Sequence, residues 1–188
     1  MSQLARQVFD LPIPDEGALF DAALACHIAA GLTCVVAGAL AATAPKRPGR
    51  HPRAGRTYFW SLAVVFVSST TMAVLRFAHD RHLLLIGTVA FGTGSIGYLA
   101  RRRRRPGWLR LHVPAMGGSY IALFTGFYVD NGPNLPLWDR LPSLAYWVLP
   151  SLVGVPLILG ALARRRLLGV RPAPRGRPGS GVRRGRPG

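Results

Sequence analysis

The sequence predicts an all-α fold, a polytopic bundle of about five membrane-spanning helices. Five apolar stretches cover 18–42, 58–78, 83–100, 113–129 and 144–163. Their lengths are close to the roughly 20 residues that an α-helix needs to cross the hydrocarbon layer of a bilayer. Five spans with short loops take up most of the 188 residues. The chain therefore has no room for a separate soluble catalytic domain, and no hydrolytic site is expected.

Basic and acidic residues alternate along the chain. The segments 43–57, 101–112 and 164–188 contain 20 of the 24 basic residues and none of the seven acidic ones. By the positive-inside rule, the N-terminus lies outside and the C-terminus lies in the cytoplasm. Arginine outnumbers lysine by 23 to 1, and Gly, Ala and Pro are abundant, which indicates a bacterial genome rich in G and C. The expected location is the bacterial cytoplasmic (inner) membrane.

The net charge of +17 also has to be compared with that of nucleic-acid-binding proteins. Such proteins do not alternate arginine clusters with apolar stretches of helix length, so no nucleic-acid partner is predicted. An ionised side chain at the centre of a membrane helix costs roughly 2.5 to 3.5 kcal/mol. The only ionised side chains within the five apolar stretches are those of Asp21 and Arg76, and each lies near an outer end. The expected partners are the lipid bilayer and its anionic head groups, with a homo-oligomer or another membrane subunit as further candidates.

Three parts of the chain are predicted: a short external tail at 1–17, the helix bundle at 18–163, and a disordered Arg/Pro/Gly-rich cytoplasmic tail at 164–188. A link of about four residues makes the second and third helices antiparallel neighbours. The fourth span is short, about 25 Å for roughly 17 residues. Pro150 and Pro156 predict a kink in the fifth.

Histidines are the main candidates for chemistry. His27 lies about 12 Å below the outer end of the first helix. Gly31, Cys34 and Gly38 share its face of the helix. Small residues beside an intramembrane imidazole allow either close helix packing with an interhelical hydrogen bond or an axial ligand next to a flat cofactor.

His51 precedes the second span and His112 opens the fourth, so both are expected at the cytoplasmic interface. Two imidazoles at one level of a bundle could bind a metal, coordinate haem, or bind an anion together with Arg53 and Arg56. The alternative is that each is an ordinary interfacial histidine, which is commoner than a ligand. In the outer turn, Arg76 and Asp80 are four residues apart and are expected to pair across one helical turn.

Several other patterns predict packing and not chemistry. The glycines of Gly92-Thr-Gly94-Ser-Ile-Gly97 match a dinucleotide-binding pattern, but they lie within a membrane span and not at a strand-to-helix turn. Instead, Gly87, Ala90, Gly94 and Gly97 predict a helix face that packs closely against a neighbour. The hydroxyls of residues 68–71 are expected to bond to their own helix backbone. Cys26 and Cys34 are eight residues apart, which excludes a disulfide within the helix.

Three motifs resemble a known family. They are His27-Ile-Ala-Ala-Gly31, then His51-Pro-Arg-Ala-Gly-Arg56-Thr-Tyr58, then His112-Val-Pro-Ala-Met116-Gly-Gly-Ser-Tyr120. In this order they resemble the bacterial membrane proteins classed as domain of unknown function 2306. The resemblance covers residues 20–160 and implies the membrane topology, without implying a reaction. Pro52 stands where the family has an arginine. The motifs add Arg56, Tyr58, Met116 and Tyr120 to the candidate site residues.

Two hypotheses for the function remain. The first is a haem- or metal-binding redox protein, with His27, His51 and His112 as candidate ligands and haem b as the named cofactor. Di-haem membrane cytochromes place two histidines on one helix, one near each membrane face, and no predicted helix of this chain does so. One haem near His51 and His112, at the cytoplasmic side, is the arrangement that remains. The second hypothesis is a small permease or a structural subunit of a membrane complex. Neither hypothesis requires an enzyme, and none is expected.

Overall fold

Five long α-helices follow one another in the computed structural model of the protein, which describes residues 6–8, 11–13, 17–45, 48–75, 77–136 and 138–167. The helices are α1 (Ala18–Thr43), α2 (Arg50–Leu75), α3 (Phe77–Arg103), α4 (Trp108–Asn131) and α5 (Ser143–Leu167). A helical bundle is therefore confirmed. The range 1–17 predicted as a tail also contains two strands, β1 (Arg6–Val8) and β2 (Leu11–Ile13), which pair antiparallel.

Four of the five helices are long and apolar enough to cross a membrane: α1, α2, α3 from His82 onward, and α5 up to Arg164. These helices fit a multi-pass membrane protein. The fourth helix, α4, is less apolar because its first half carries His112, Pro114 and the run Gly117-Gly-Ser119. At 24 residues α4 is nevertheless about 36 Å long, so the helix extends beyond the predicted fourth span of about 25 Å.

The helices extend beyond the limits of the apolar stretches. The second begins at Arg50 instead of 58 and ends at Leu75 instead of 78, and α3 begins at Phe77, so the predicted four-residue link is too long. The fifth runs on to Leu167, past the predicted boundary at 163. Hydropathy marks where side chains become polar, whereas backbone hydrogen bonds continue into the polar region. Residues 168–188 of the predicted disordered tail lie outside the described residues, and the kink in α5 stays a prediction.

Each helix packs against the next one in the chain, so α2 and α3 are neighbours as predicted. The fourth helix also reaches α1 and α2, because the hydroxyl of Tyr120 donates to the backbone oxygen of Val35 and the hydroxyls of Tyr58 and Ser119 are 2.8 Å apart. Helices α1 to α4 thus share one core, and α5 lies against α4. The buried core residues are Ala30, Cys34, Ala37, Tyr58, Leu62, Val65, Ala90 and Ala122.

Glycines allow α3 to approach its neighbours closely, as predicted. A Cβ added at Gly94 would lie 2.8 Å from the Leu62 side chain, and one at Gly97 would lie 2.8 Å from Met116 Cγ and 3.1 Å from the Met116 backbone nitrogen. In contrast, a Cβ at Gly92 would meet nothing within 4 Å. Small residues at such contacts are typical of helices that pack in membranes.

This packing predicts different effects for two equivalent substitutions in α3. Gly97→Val should lower the stability by about 1–3 kcal/mol, because the new side chain overlaps the backbone of α4. Gly92→Val has the same effect on helix propensity but points into open space, so its stability should stay close to that of the parent protein. Thermal unfolding in mild detergent, followed by circular dichroism, measures both. Equal losses for the two variants would contradict the described contact between α3 and α4.

Candidate functional site

His51 and His112 lie next to each other. The first is in the opening turn of α2 and the second is one turn into α4, so both are at the end of the bundle where the arginines cluster. Their ring centroids are 6.5 Å apart and the ring planes are nearly perpendicular, at 87°. Trp108 packs against His112 at 5.4 Å between ring centroids. The structure thus brings together two of the three predicted histidine ligands.

Each of these imidazoles is held by a backbone carbonyl of a neighbouring helix. His51 Nδ1 lies 2.8 Å from the Ala41 oxygen of α1, and His112 Nδ1 lies 2.8 Å from the Gly97 oxygen of α3. A carbonyl oxygen only accepts, so Nδ1 carries the proton in both rings. In the neutral ring the lone pair is then on Nε2. Histidines that bind metals are commonly oriented in this way, through a hydrogen bond from the second ring nitrogen.

The separation of the rings fits a shared ion. With a metal–nitrogen bond of about 2.0–2.1 Å, two imidazoles on one ion have centroids between about 5 and 6.5 Å apart, increasing with the angle at the ion. The observed 6.5 Å lies within this range, at its upper end. In the part of the chain that the structure describes, no group of three His, Cys, Asp or Glu side chains could hold a metal.

Three candidate residues of α4 share one face of that helix. His112, Met116 and Tyr120 are spaced four residues apart, which places each about one turn below the one before it. Met116 packs against Gly97 of α3, the residue whose carbonyl accepts from His112. This column of side chains connects the histidine pair to the bundle core.

Tyr58 lies at the centre of the core and is nearly fully buried, at 2% exposure. Its hydroxyl shares a 2.8 Å hydrogen bond with that of Ser119, and its ring contacts the ring of Tyr120 at 5.8 Å between centroids. Ser119 itself donates to the Met116 backbone oxygen. Because a hydroxyl has one proton, Ser119 accepts from Tyr58. Every buried side-chain nitrogen or oxygen among the described residues has a partner.

His27 lies apart from the other two histidines. Its Nδ1 is 3.2 Å from the hydroxyl of Ser68 on α2, which is 17 residues, or about 25 Å, along that helix from His51. The Ser68 hydroxyl donates to the backbone oxygens of Val64 and Val65, so it accepts from His27. This is the interhelical hydrogen bond that the packing alternative requires. The space beside Gly38, on the same face of α1, holds the ring of Tyr120.

The remaining predictions have separate outcomes. Arg56 is exposed on α2. Arg76 lies outside the described residues, so its pairing stays a prediction. The hydroxyls of residues 68–71 bond to their own helix, as predicted. Both cysteines are free, and Cys34 is buried.

Sequence reasoning did not identify the four groups that hold the candidate residues. They are the carbonyls of Ala41 and Gly97 and the hydroxyls of Ser68 and Ser119. A carbonyl has no signature in a sequence, since every residue has one. The two serines lie in runs of small and hydroxyl residues, but the pattern alone does not show which of them faces another helix.

Comparison with protein-family models, curated proteins and solved structures finds no match to this chain.

The hydrogen bond between Tyr58 and Ser119 can be tested with a double-mutant cycle. Tyr58→Phe and Ser119→Ala should be coupled by about 0.6 kcal/mol, and by no more than about 1.7 kcal/mol, the range measured for such bonds between membrane helices. Tyr58→Phe combined with Thr88→Ala is the control, because Thr88 bonds to its own helix. Additive effects in the first cycle would show that the two hydroxyls do not interact.

Proposed function

We propose that this chain is a multi-pass membrane redox protein that binds one haem b between His51 and His112. The observation that carries the proposal is the pair of imidazoles, supplied by two helices, with ring centroids 6.5 Å apart and each Nδ1 anchored to a backbone carbonyl. Haem iron would supply one-electron exchange at this position.

The small number of ligands favours haem over a bare ion. Structural zinc sites have four protein ligands and catalytic ones have three. In the described part of the chain, the histidine pair has no third His, Cys, Asp or Glu close enough to complete such a set. Haem supplies the other nitrogens around its iron itself, so His51 and His112 would be sufficient as the ligands from the protein. Two imidazoles would therefore be a complete protein contribution for haem and an incomplete one for zinc.

The charge around the pair also supports haem. The segments that carry the two histidines, 43–57 and 101–112, contain eleven basic residues and no acidic one. Haem b has two propionate carboxylates, which arginines bind well through their forked donors. Arg56 of α2 and Arg110 of α4 are both exposed at this end. They are the candidate partners for the propionates.

For the membrane, we propose five spans with the N-terminus outside and the arginine-rich end in the cytoplasm of a bacterial inner membrane. Exposed apolar side chains on each of the five helices and the alternation of charge support it. The fourth helix would cross as the least apolar span, packed between α3 and α5 and bonded to α1 through Tyr120. Membership of the family classed as domain of unknown function 2306 stays a prediction.

The haem site can be tested by absorption spectroscopy. The full chain, expressed with supplied haem and purified in mild detergent, should show a Soret band and a shift on reduction with dithionite. His51→Ala and His112→Ala should each lose most of this absorbance, because each removes one of the two imidazoles that would hold the haem.

His27→Ala and His82→Ala are the matched controls and should keep the spectrum of the parent protein. His27 bonds to Ser68, and His82 is exposed on α3. A featureless spectrum of the parent protein would remove the haem proposal and favour the permease or structural-subunit hypothesis. A spectrum that persists in His51→Ala would exclude that residue as a ligand.

The orientation can be tested separately with reporter fusions. Alkaline phosphatase is active only outside the cytoplasm, so a fusion after residue 105 should be inactive and one after residue 136 should be active. Fluorescent fusions at the same points should give the opposite pattern. Phosphatase activity at residue 105 would reverse the proposed orientation without affecting the geometry of the histidine pair.

A further inference from the structure

A shallow groove of about 400 Å³ lies between α1 and α2, toward the arginine-rich end of the bundle. Leu32, Val36 and Leu40 line it from α1, and Ala54 and Thr57 line it from α2. The three α1 side chains are 65%, 59% and 56% exposed. Residues 32 and 40 are eight apart, so the groove follows the helix for about 12 Å. An extended hydrocarbon chain lying along the bundle fits this shape and this apolar lining.

Positive charge lies at the cytoplasmic end of the groove. Arg50 and Arg53 are exposed residues of the first turn of α2. Ala54 and Thr57 follow Arg50 by four and seven residues, and Thr57 follows Arg53 by four. Helical spacing therefore places both arginines on the side of α2 that lines the groove. The first turn contains no acidic residue, and neither does the whole segment 43–57. The complementary partner is therefore a molecule with an anionic head and an apolar chain.

We propose that this groove binds one anionic phospholipid, with an acyl chain against α1 and α2 and its phosphate at Arg50 and Arg53. The proposal rests on the membrane orientation proposed above and is independent of haem. General attraction of the cytoplasmic surface for anionic lipid needs only charge. The groove adds a place for the acyl chain of the lipid. Arg50 and Arg53 should therefore bind the lipid more tightly than the other arginines of this surface do.

Charge also distinguishes the lipid from a second copy of the chain. A two-fold dimer through this face would be isologous and would bring the same surface of each copy together. Both copies would then present Arg50 and Arg53 at one interface with no acidic residue in the segment to neutralise them. An anionic phospholipid neutralises these charges instead of doubling them.

The test is native mass spectrometry of the full chain in mild detergent, with phosphatidylglycerol and phosphatidylcholine of identical acyl chains as the probes. The parent protein should retain one phosphatidylglycerol in preference to phosphatidylcholine. Each arginine removed should weaken retention about fivefold, so Arg50→Gln with Arg53→Gln should weaken it roughly 30-fold. Ala54→Phe keeps the charges but fills the groove, and it should also reduce retention at least about fivefold.

Arg102→Gln with Arg103→Gln is the matched control, because it removes the same charge from the exposed end of α3. It should leave the preference unchanged. Equal losses for the two double variants, or no effect of Ala54→Phe, would show attraction by surface charge alone and would overturn the proposal. A dimer of the parent protein that Ala54→Phe dissociates would assign the groove to a second copy. Helical content by circular dichroism confirms that each variant is folded, and a topology reversed in the reporter fusions would be detected independently.

Discussion

Charged groups are excluded from hydrocarbon, and this constraint determines how the helices of this protein are arranged. Most of the ionisable residues within the described helices lie near a helix end, with Asp21 near the start of α1 and Arg101 to Arg103 closing α3. The backbone of each span must satisfy its own hydrogen bonds, which makes helices the accessible structure. The arginines at the start of α2 and at the ends of α3 and α5 therefore lie at the same end of the bundle. His51 and His112 come to that end because each lies just inside the start of a helix that begins there.

Close packing then places the two imidazoles. Gly97 contributes twice: its missing side chain lets Met116 of α4 approach α3, and its carbonyl accepts from His112 Nδ1. The equivalent anchor for His51 is the Ala41 carbonyl near the end of α1. One histidine thus ties α2 to α1 and the other ties α4 to α3. Deeper in the bundle, the hydrogen bond between Tyr58 and Ser119 joins the two pairs of helices.

The existence and the order of the five helices could be predicted from hydropathy, and so could the glycine face of α3, since both depend on the composition of single segments. Helix ends such as Arg50 and Leu167 could not, because a helix continues beyond the point where its side chains become polar. The sequence put His51 and His112 at one level. Their adjacency depends on which helices are neighbours, and that information is not contained in the periodicity of either helix. The Ser68 partner of His27 was missed for the same reason.

Whether His51 and His112 together hold a haem can be read from the electron paramagnetic resonance spectrum of the oxidised protein reconstituted with haem. Ferric haem held by two imidazoles would give a low-spin signal, because two strong-field nitrogen ligands split the iron orbitals widely. We expect a low-spin spectrum for the parent protein and loss of that low-spin signal, together with the haem absorbance, in both His51→Ala and His112→Ala. A high-spin parent spectrum, or a low-spin signal that survives either substitution, would contradict the claim that this pair of histidines holds the haem.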